Sequence, residues 1–397
     1  MDWTMQEKQL LKEALEQGLK PLQIKNNYLP HRSTDAIRSQ SRAVQDFDCS
    51  TTSTDDEQFR LLKRQNDSLL KSLRAERAKS RLLIEAVQES VAKLQVKPVK
   101  PPVKEKSKRN LEFHALRSDE QVGQSVDPTR TQMVSHYNID IYRQRSQLWC
   151  DKVCTFREED KNSHGLNKLI INNLGDHVEG EAIYPGQAFQ IDRPTIDQML
   201  VYVETEARNL VTLCSVFPEI SVFCIPGNHG RAGFKGQHNE KTNWDYVCMH
   251  FLRLALQNQP NIKFYISNDP VMIVQHGRFN FCLKHGENIR SYSGTPFYGL
   301  DRDFRKLNSL YNMIIHYEVI GHHHRAANLE DNIIINGCFP GGSDLSINKM
   351  SLASIASQKI FYFHPIHGSN RWSDLYLSKA PELKADETGV YTSYYHT

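Results

Sequence analysis

Residues 168–181, KLIINNLGDHVEGE, and residues 220–229, ISVFCIPGNH, decide how this chain is read. In the first, an apolar run ends abruptly at Gly175-Asp176. In the second, the run from Ile220 to Ile225 ends in Pro226-Gly227-Asn228-His229. Apolar runs this short, bounded by Gly and Pro, predict buried strands. The helix-length segment between them completes a strand–helix–strand unit, which implies a parallel sheet in an α/β fold. Such sheets bind ligands beyond the carboxyl ends of their strands. Asp176, Glu179, Asn228 and His229 fall there. A carboxylate, an amide oxygen and an imidazole converging on one spot is metal-ligand chemistry.

Three further strand ends extend the pattern. LEFHALRSDEQVG (111–123) predicts a strand ending in Asp119-Glu120-Gln121, and FNFCLKHGE (279–287) one ending at His285. YEVIGHHHR (317–325) predicts a third, ending at Gly321-His322-His323-His324. The series is D-x-Q, G-D-x-x-E, G-N-H, a lone H and G-H-x-H. It closely resembles the calcineurin-like metallophosphoesterase superfamily, whose pattern is D-x-H, G-D-x-x-D, G-N-H-[DE], H and G-H-x-H. The resemblance covers about residues 110–365. Each motif alone is weak; five in order, each at a strand end, are strong.

The resemblance implies a four-layer α/β/β/α sandwich over residues 111–377. Carried over residue by residue, it implies one metal held by Asp119, Gln121, Asp176 and His324. It implies a second held by Asp176, Asn228, His285 and His322, with Asp176 as the bridge. The expected cofactors are two divalent cations, Mn²⁺ first, with Fe, Zn or Ni as alternatives. Two cations about 3.5–4 Å apart clamp the attacking and leaving oxygens of a phosphoryl transfer, and a hydroxide they activate would attack phosphorus in line. His229 would stabilise the developing charge or protonate the leaving oxygen, and Glu179 would hold its other nitrogen. Three departures stand out. Gln121 replaces His, which weakens the first metal's hold. Glu179 replaces Asp, which reaches further. Gly230 replaces the acid after G-N-H, and Arg231 follows it as a candidate substrate-phosphate contact or a plain surface arginine. His177 and His323 read as neighbours rather than ligands, and His164, His238 and His276 as surface or structural.

The rest of the chain narrows the substrate. A length of 397 residues suggests two or three domains. A hydrophobic share of 39% supplies one sizeable core but is low for a wholly globular chain. Net charge is only +3, with the basic residues concentrated before residue 110. Among eight cysteines there is no C-x-x-C pair, which predicts reduced core thiols at Cys224, Cys248 and Cys282, as in a cytoplasmic protein. The polar start is no signal peptide, and no stretch approaches the roughly 18 apolar residues of a membrane span.

Residues 1–45 predict three short helices. Leu10, Leu11, Ala14 and Leu15 mark the first, Ile24 and Leu29 the second, and Ser33 or Thr34 caps a third with Arg38 and Arg42 on a basic face. With Trp3 and LPHRSTDAIRSQ, this resembles a Myb/SANT-type helix-turn-helix domain, which binds DNA through its third helix or serves as a protein-interaction bundle. Residues 46–58, rich in Ser, Thr and Asp, read as a linker. Residues 59–95 carry a broken heptad (Leu62, Leu69, Leu73, Leu83, Val87, Leu94), either a homodimeric coiled coil or a solvated single helix. Residues 96–110 form an extended Pro/Lys linker that tracks phosphates or simply tethers. Residues 358–368, QKIFYFHPIHG, predict another edge strand, and the tail, 378–397, is polar and reads as loose.

The superfamily it resembles includes protein phosphatases, small-nucleotide phosphodiesterases and DNA-repair exonucleases, and GDHVEGEAIYPGQ with GNHGR also resembles the phosphoesterases of phages and mobile elements, which would act in a host cytoplasm. The basic helical front end favours a DNA-directed nuclease of repair or recombination type. The alternatives are a phosphatase or phosphodiesterase on a small phosphoester or phosphoprotein, and a catalytically degenerate DNA-binding regulator.

Overall fold

The structure is a computed structural model. It describes residues 3–94, 96–106, 109–131, 134–236, 242–291, 296–343, 346–348, 354–378, 382–385 and 391–394. The chain divides into two units, residues 1–83 and 84–397.

The first unit opens with helices α1 (Met5–Glu16), α2 (Pro21–Asn27) and α3, which begins at Thr34. Thr4 and Glu7 form a reciprocal cap at the start of α1. Pro21 opens α2, a position where its missing N–H costs nothing. Ser33 caps α3, its Oγ accepting from the Ala36 amide at 3.2 Å. Leu11, Ala14, Ile24, Leu29 and Ile37 form the small core, flanked by Trp3, Leu15, Leu19, Tyr28 and Val44. A polar lock closes it. Arg32 donates from Nε to Glu7 Oε1 and from a terminal nitrogen to Oε2, both at 2.8 Å, and its guanidinium lies over Trp3. This forked pair is the strong form of a charge-assisted bond.

Arg32 holds the Glu7 carboxyl below its ordinary range, so the pair stabilises the fold at neutral pH and its contribution fades as pH falls. Glu7→Gln is therefore expected to speed amide exchange across residues 5–44 several-fold at pH 7. The difference from wild type should shrink as the pH drops below the usual carboxylate range. Equal exchange at pH 7 would show that the lock contributes nothing.

Helix α3 runs without interruption from Thr34 to Lys93. The linker expected at 46–58 is thus helical. Ser, Thr and Asp are only mediocre helix formers, each costing tenths of a kcal/mol, and the run contains no Gly or Pro to break it. The helix continues through 59–93, with Phe59, Leu61, Leu62, Leu69 and Leu73 exposed.

The second unit is mixed α/β. Its first sheet has six strands in the order β11-β10-β1-β2-β3-β4: β1 is Glu112–Arg117, β2 Lys168–Asn173, β3 Glu219–Cys224, β4 Ile262–Ile266, β10 Ser357–His364 and β11 Gly368–Tyr376. Strands β1 to β4 run parallel, as the strand–helix–strand reading requires. Its second sheet has five strands in the order β5-β6-β7-β9-β8: β5 is Val271–His276, β6 Phe279–Lys284, β7 Tyr317–Ile320, β8 Ala327–Leu329 and β9 Ile333–Ile335.

Alternation along each central strand explains its unbroken apolar run. On β2, Leu169 and Ile171 face a core shared with helices α4 (Ile139–His164), α5 (Thr195–Val216) and α6 (Trp244–Ala255). Ile170 turns the other way, into a cluster with Phe281 and Leu283 of β6, Val319 of β7 and Ile334 of β9. The sheets therefore pack face to face. Helix α7 (Phe297–Tyr311) lays Leu300, Phe304 and Leu307 on the second sheet. Cys224, Cys248 and Cys282 are buried free thiols.

Four features depart from expectation. Helix α4 was not foreseen: its buried stripe, 142/146/149/150/153/157, has helical spacing but includes Ser146 and Arg157, which mask the apolar period. Strand β10, expected at an edge, is interior, because β11 pairs on its far side. The Pro/Lys segment is extended but not a free tether. Val99 N donates to Gln259 Oε1 (3.0 Å), Glu105 N to Asn167 Oδ1 (2.6 Å), and Lys104 pairs with Glu219. The tail carries an antiparallel pair of strands, β12 (Glu382–Ala385) and β13 (Tyr391–Tyr394).

Candidate metal centre

The predicted ligands come together at the carboxyl ends of β1, β2, β3, β6 and β7. Asp119, Gln121, Asp176, His322 and His324 all have left-handed backbones, with φ between 44° and 63°. Non-glycine residues rarely adopt this region, and each costs of order 1 kcal/mol or more. The strain turns each side chain sharply off its strand and into a common space.

Two groups of donors result. In one, His324 Nε2 lies 3.2 Å from Asp119 Oδ1 and 3.5 Å from Gln121 Nε2. In the other, His285 Nε2 lies 3.0 Å from Asp176 Oδ2, 3.1 Å from Asn228 Oδ1 and 3.3 Å from His322 Nδ1. His285 Nδ1 sits 2.7 Å from the Leu174 carbonyl, which fixes the proton there and leaves Nε2 as the donor. The groups touch: the His322 amide donates to both Asp119 oxygens at 3.0 Å.

The donor set fits divalent cations. Asp176 Oδ2 and Gln121 Oε1 are buried without a hydrogen-bond partner. Turning the Gln121 amide over would aim that oxygen at the histidine nitrogens. Asp176, His285 and His322 offer donor atoms all within 4.8 Å of one another. Burial alone would raise the two carboxyls. The facing imidazoles instead hold both low, His324 acting on Asp119, and His285 and His229 on Asp176. Burial pushes His322 down to about 3, so it is neutral and ready to ligate.

His229 and Glu179 form the expected dyad, with Nδ1 3.0 Å from Oε2. Tyr184 (3.2 Å) and Gln187 (3.0 Å) donate to Glu179 Oε1, so the longer acid is firmly held. Burial opposes charging His229, but Glu179 and Asp176 prevail and push it up to about 9. His177 is no ligand: it pairs with buried Glu120 (3.0 Å) and stacks on Tyr202. Arg231 lies 3.5 Å from Glu287. Arg38 pairs with Asp35, and it and Arg42 are exposed on α3. His276 is buried, not on the surface, and His238 lies outside the described residues.

Sequence reasoning missed Asp245. Fully buried at the start of α6, it accepts from the amides of Asp176 (2.9 Å), His177 (3.0 Å) and Gly227 (2.9 Å). It ties the β2 loop to the β3 loop. An Asp in a helix's first turn reads as a helix cap, so nothing in the sequence signals this reach. Asp245 and Asn243 also explain Gly230: a Cβ there would overlap both side chains. The space the family's acid would need is already filled. Gly230→Asp is thus expected to cost about 1–3 kcal/mol in urea unfolding and to add no activity. Unchanged stability would refute the overlap.

No family model matches the chain, and no curated protein matches it. Among solved structures, a hypothetical protein from Pyrococcus horikoshii OT3 is similar, with 9% identity and a TM-score of 0.32, covering 67% of this chain and 87% of that one. No helix is long and apolar enough to cross a membrane, among the described residues.

Proposed function

We propose that this chain is a metal-dependent phosphodiesterase acting on DNA, a nuclease of repair or recombination type. The observation that carries the reading is the two adjoining donor groups, with Asp176 facing one and the His322 amide joining them to Asp119. The packed sheets with outer helices support the four-layer α/β/β/α sandwich of the resembled superfamily. Asp119, Gln121, Asp176 and His324 would hold one divalent cation, Mn²⁺ first. Asp176, Asn228, His285 and His322 would hold the other. Bound there, the pair supplies Lewis acidity to activate water and neutralise phosphate.

The chain's own residues do the rest. Glu179 anchors His229 at Nδ1, and Nε2 is left to hand a proton to the leaving oxygen. The strained loops fix the donors in advance, so little reorganisation is needed. DNA is favoured over a small ester by the three-helix front unit with its exposed Arg38 and Arg42, which suit phosphate contacts.

The test is Mn²⁺-dependent cleavage of labelled single- and double-stranded DNA, with bis-p-nitrophenyl phosphate and its monoester in parallel. Cleavage of DNA and diester supports the proposal. Turnover of the monoester alone would point to a phosphatase. DNA binding without turnover under any metal would mean a degenerate regulator. Removing residues 1–83 should weaken DNA binding and spare diester turnover, because the segment from Lys97 onward packs on the second unit.

A further inference from the structure

At the other end of β1, on the order of 20 Å along the strand from Asp119, Glu112 and His114 meet His276 of β5. Glu112 Oε2 lies 3.5 Å from His114 Nε2 and 3.2 Å from His276 Nδ1. One donor atom from each residue falls within 4.8 Å of the others. His114 is fully buried, yet neither of its ring nitrogens has a hydrogen-bond partner. Glu112 Oε2 and His276 Nε2 are also unsatisfied, so the short contacts lack hydrogen-bond direction. A buried polar group left unpaired costs about 1–3 kcal/mol, and such groups call for a partner.

We propose that Glu112, His114 and His276 form a further metal site, for Zn²⁺ or a similar borderline divalent cation, clasping the two sheets together. The spacing suits it. Zn–N and Zn–O legs of about 2.0–2.1 Å in a tetrahedron set donors roughly 3.3 Å apart, against the 3.2 and 3.5 Å observed. The surroundings suit it too. Lys168 donates to Glu112 Oε1 at 2.8 Å, which turns the carboxylate so that Oε2 faces the imidazoles. His114 stacks on Phe361, with ring centroids 4.5 Å apart, and its ring lies nearly parallel to that of Phe281, which fixes its orientation. Two histidines and a glutamate leave the fourth position to water. Because β1 and β5 belong to different sheets, binding would stabilise their packing.

The site is independent of the phosphodiesterase reading, and its test keeps them apart. Full-length protein is loaded with Co²⁺ after chelation, and bound metal and visible absorption are measured. The wild type should show the intense absorption of four-coordinate Co²⁺. His276→Gln and Glu112→Gln should each lose that absorption and one equivalent of metal per chain, and Asp176→Asn should keep the absorption. Far-UV circular dichroism checks that the variants are folded. A folded variant that retains the full equivalent, or a wild type without the absorption, overturns the proposal.

Discussion

Asp176→Asn is expected to lower Mn²⁺-dependent cleavage of DNA and of bis-p-nitrophenyl phosphate by about 10³-fold or more, with little change in unfolding midpoint. On the proposed reading Asp176 holds both cations, whose Lewis acidity is worth several kcal/mol of transition-state charge stabilisation, and about 4 kcal/mol corresponds to that factor. Asparagine is the right replacement for three reasons. It tolerates the left-handed backbone at this position, where φ is 58°. It keeps an oxygen to accept the His229 amide, a bond of 2.7 Å. It also leaves the Asp245 bond to the 176 amide untouched. What it removes is the negative charge beside His285. Without a bound cation, burial opposes the charged imidazolium there but Asp176 prevails and pushes His285 up to about 10, and a cation binding at Nε2 would displace that extra proton. In the variant His285 should therefore titrate lower, which NMR can follow independently of activity. Undiminished turnover would remove Asp176 from the chemistry and sink the two-cation reading.

The five strands that end at the site were legible because each is an apolar run stopped by Gly, Pro or a polar pair, and the site because its residues sit at those stops. Parallel pairing aligns the ends of β1, β2 and β3 in one sheet and of β6 and β7 in the other, and the packing of the two sheets brings the five together. What stayed hidden depends on contacts between residues remote in sequence. Helix α4 packs through Ser146 and Arg157, so its polar members looked like surface. Residues 46–58 looked like a linker because composition was read where only Gly or Pro would have decided. The interior place of β10 follows from β11 beside it, a pairing no local pattern announces. His276 carried no signal, since its partners Glu112 and His114 are more than 160 residues away in sequence.

Asp245→Ala is expected to cost about 3–5 kcal/mol in urea unfolding and about 10²-fold in turnover, although Asp245 touches no donor side chain. The cost follows from what it leaves behind. The amides of Asp176, His177 and Gly227 are buried at the meeting of two loops, and each unsatisfied donor costs about 1–3 kcal/mol. The two loops meet too closely to rearrange freely, because a Cβ on Gly227 would already overlap Asp176 Oδ1. The loss in rate follows from displacement. Asp176 and Asn228 sit on the two loops that Asp245 joins, and a shift of about 1 Å at a reacting centre can cost about 10²-fold. Asp245→Asn separates the effects. It retains one acceptor oxygen but turns an N–H₂ toward backbone donors, so it should recover only part of the stability. A purely structural role would lower stability and leave the Mn²⁺ dissociation constant of the folded protein unchanged. A positioning role predicts that Mn²⁺ binds more weakly as turnover falls. Wild-type stability together with wild-type turnover in Asp245→Ala would show that the loops hold their register without it.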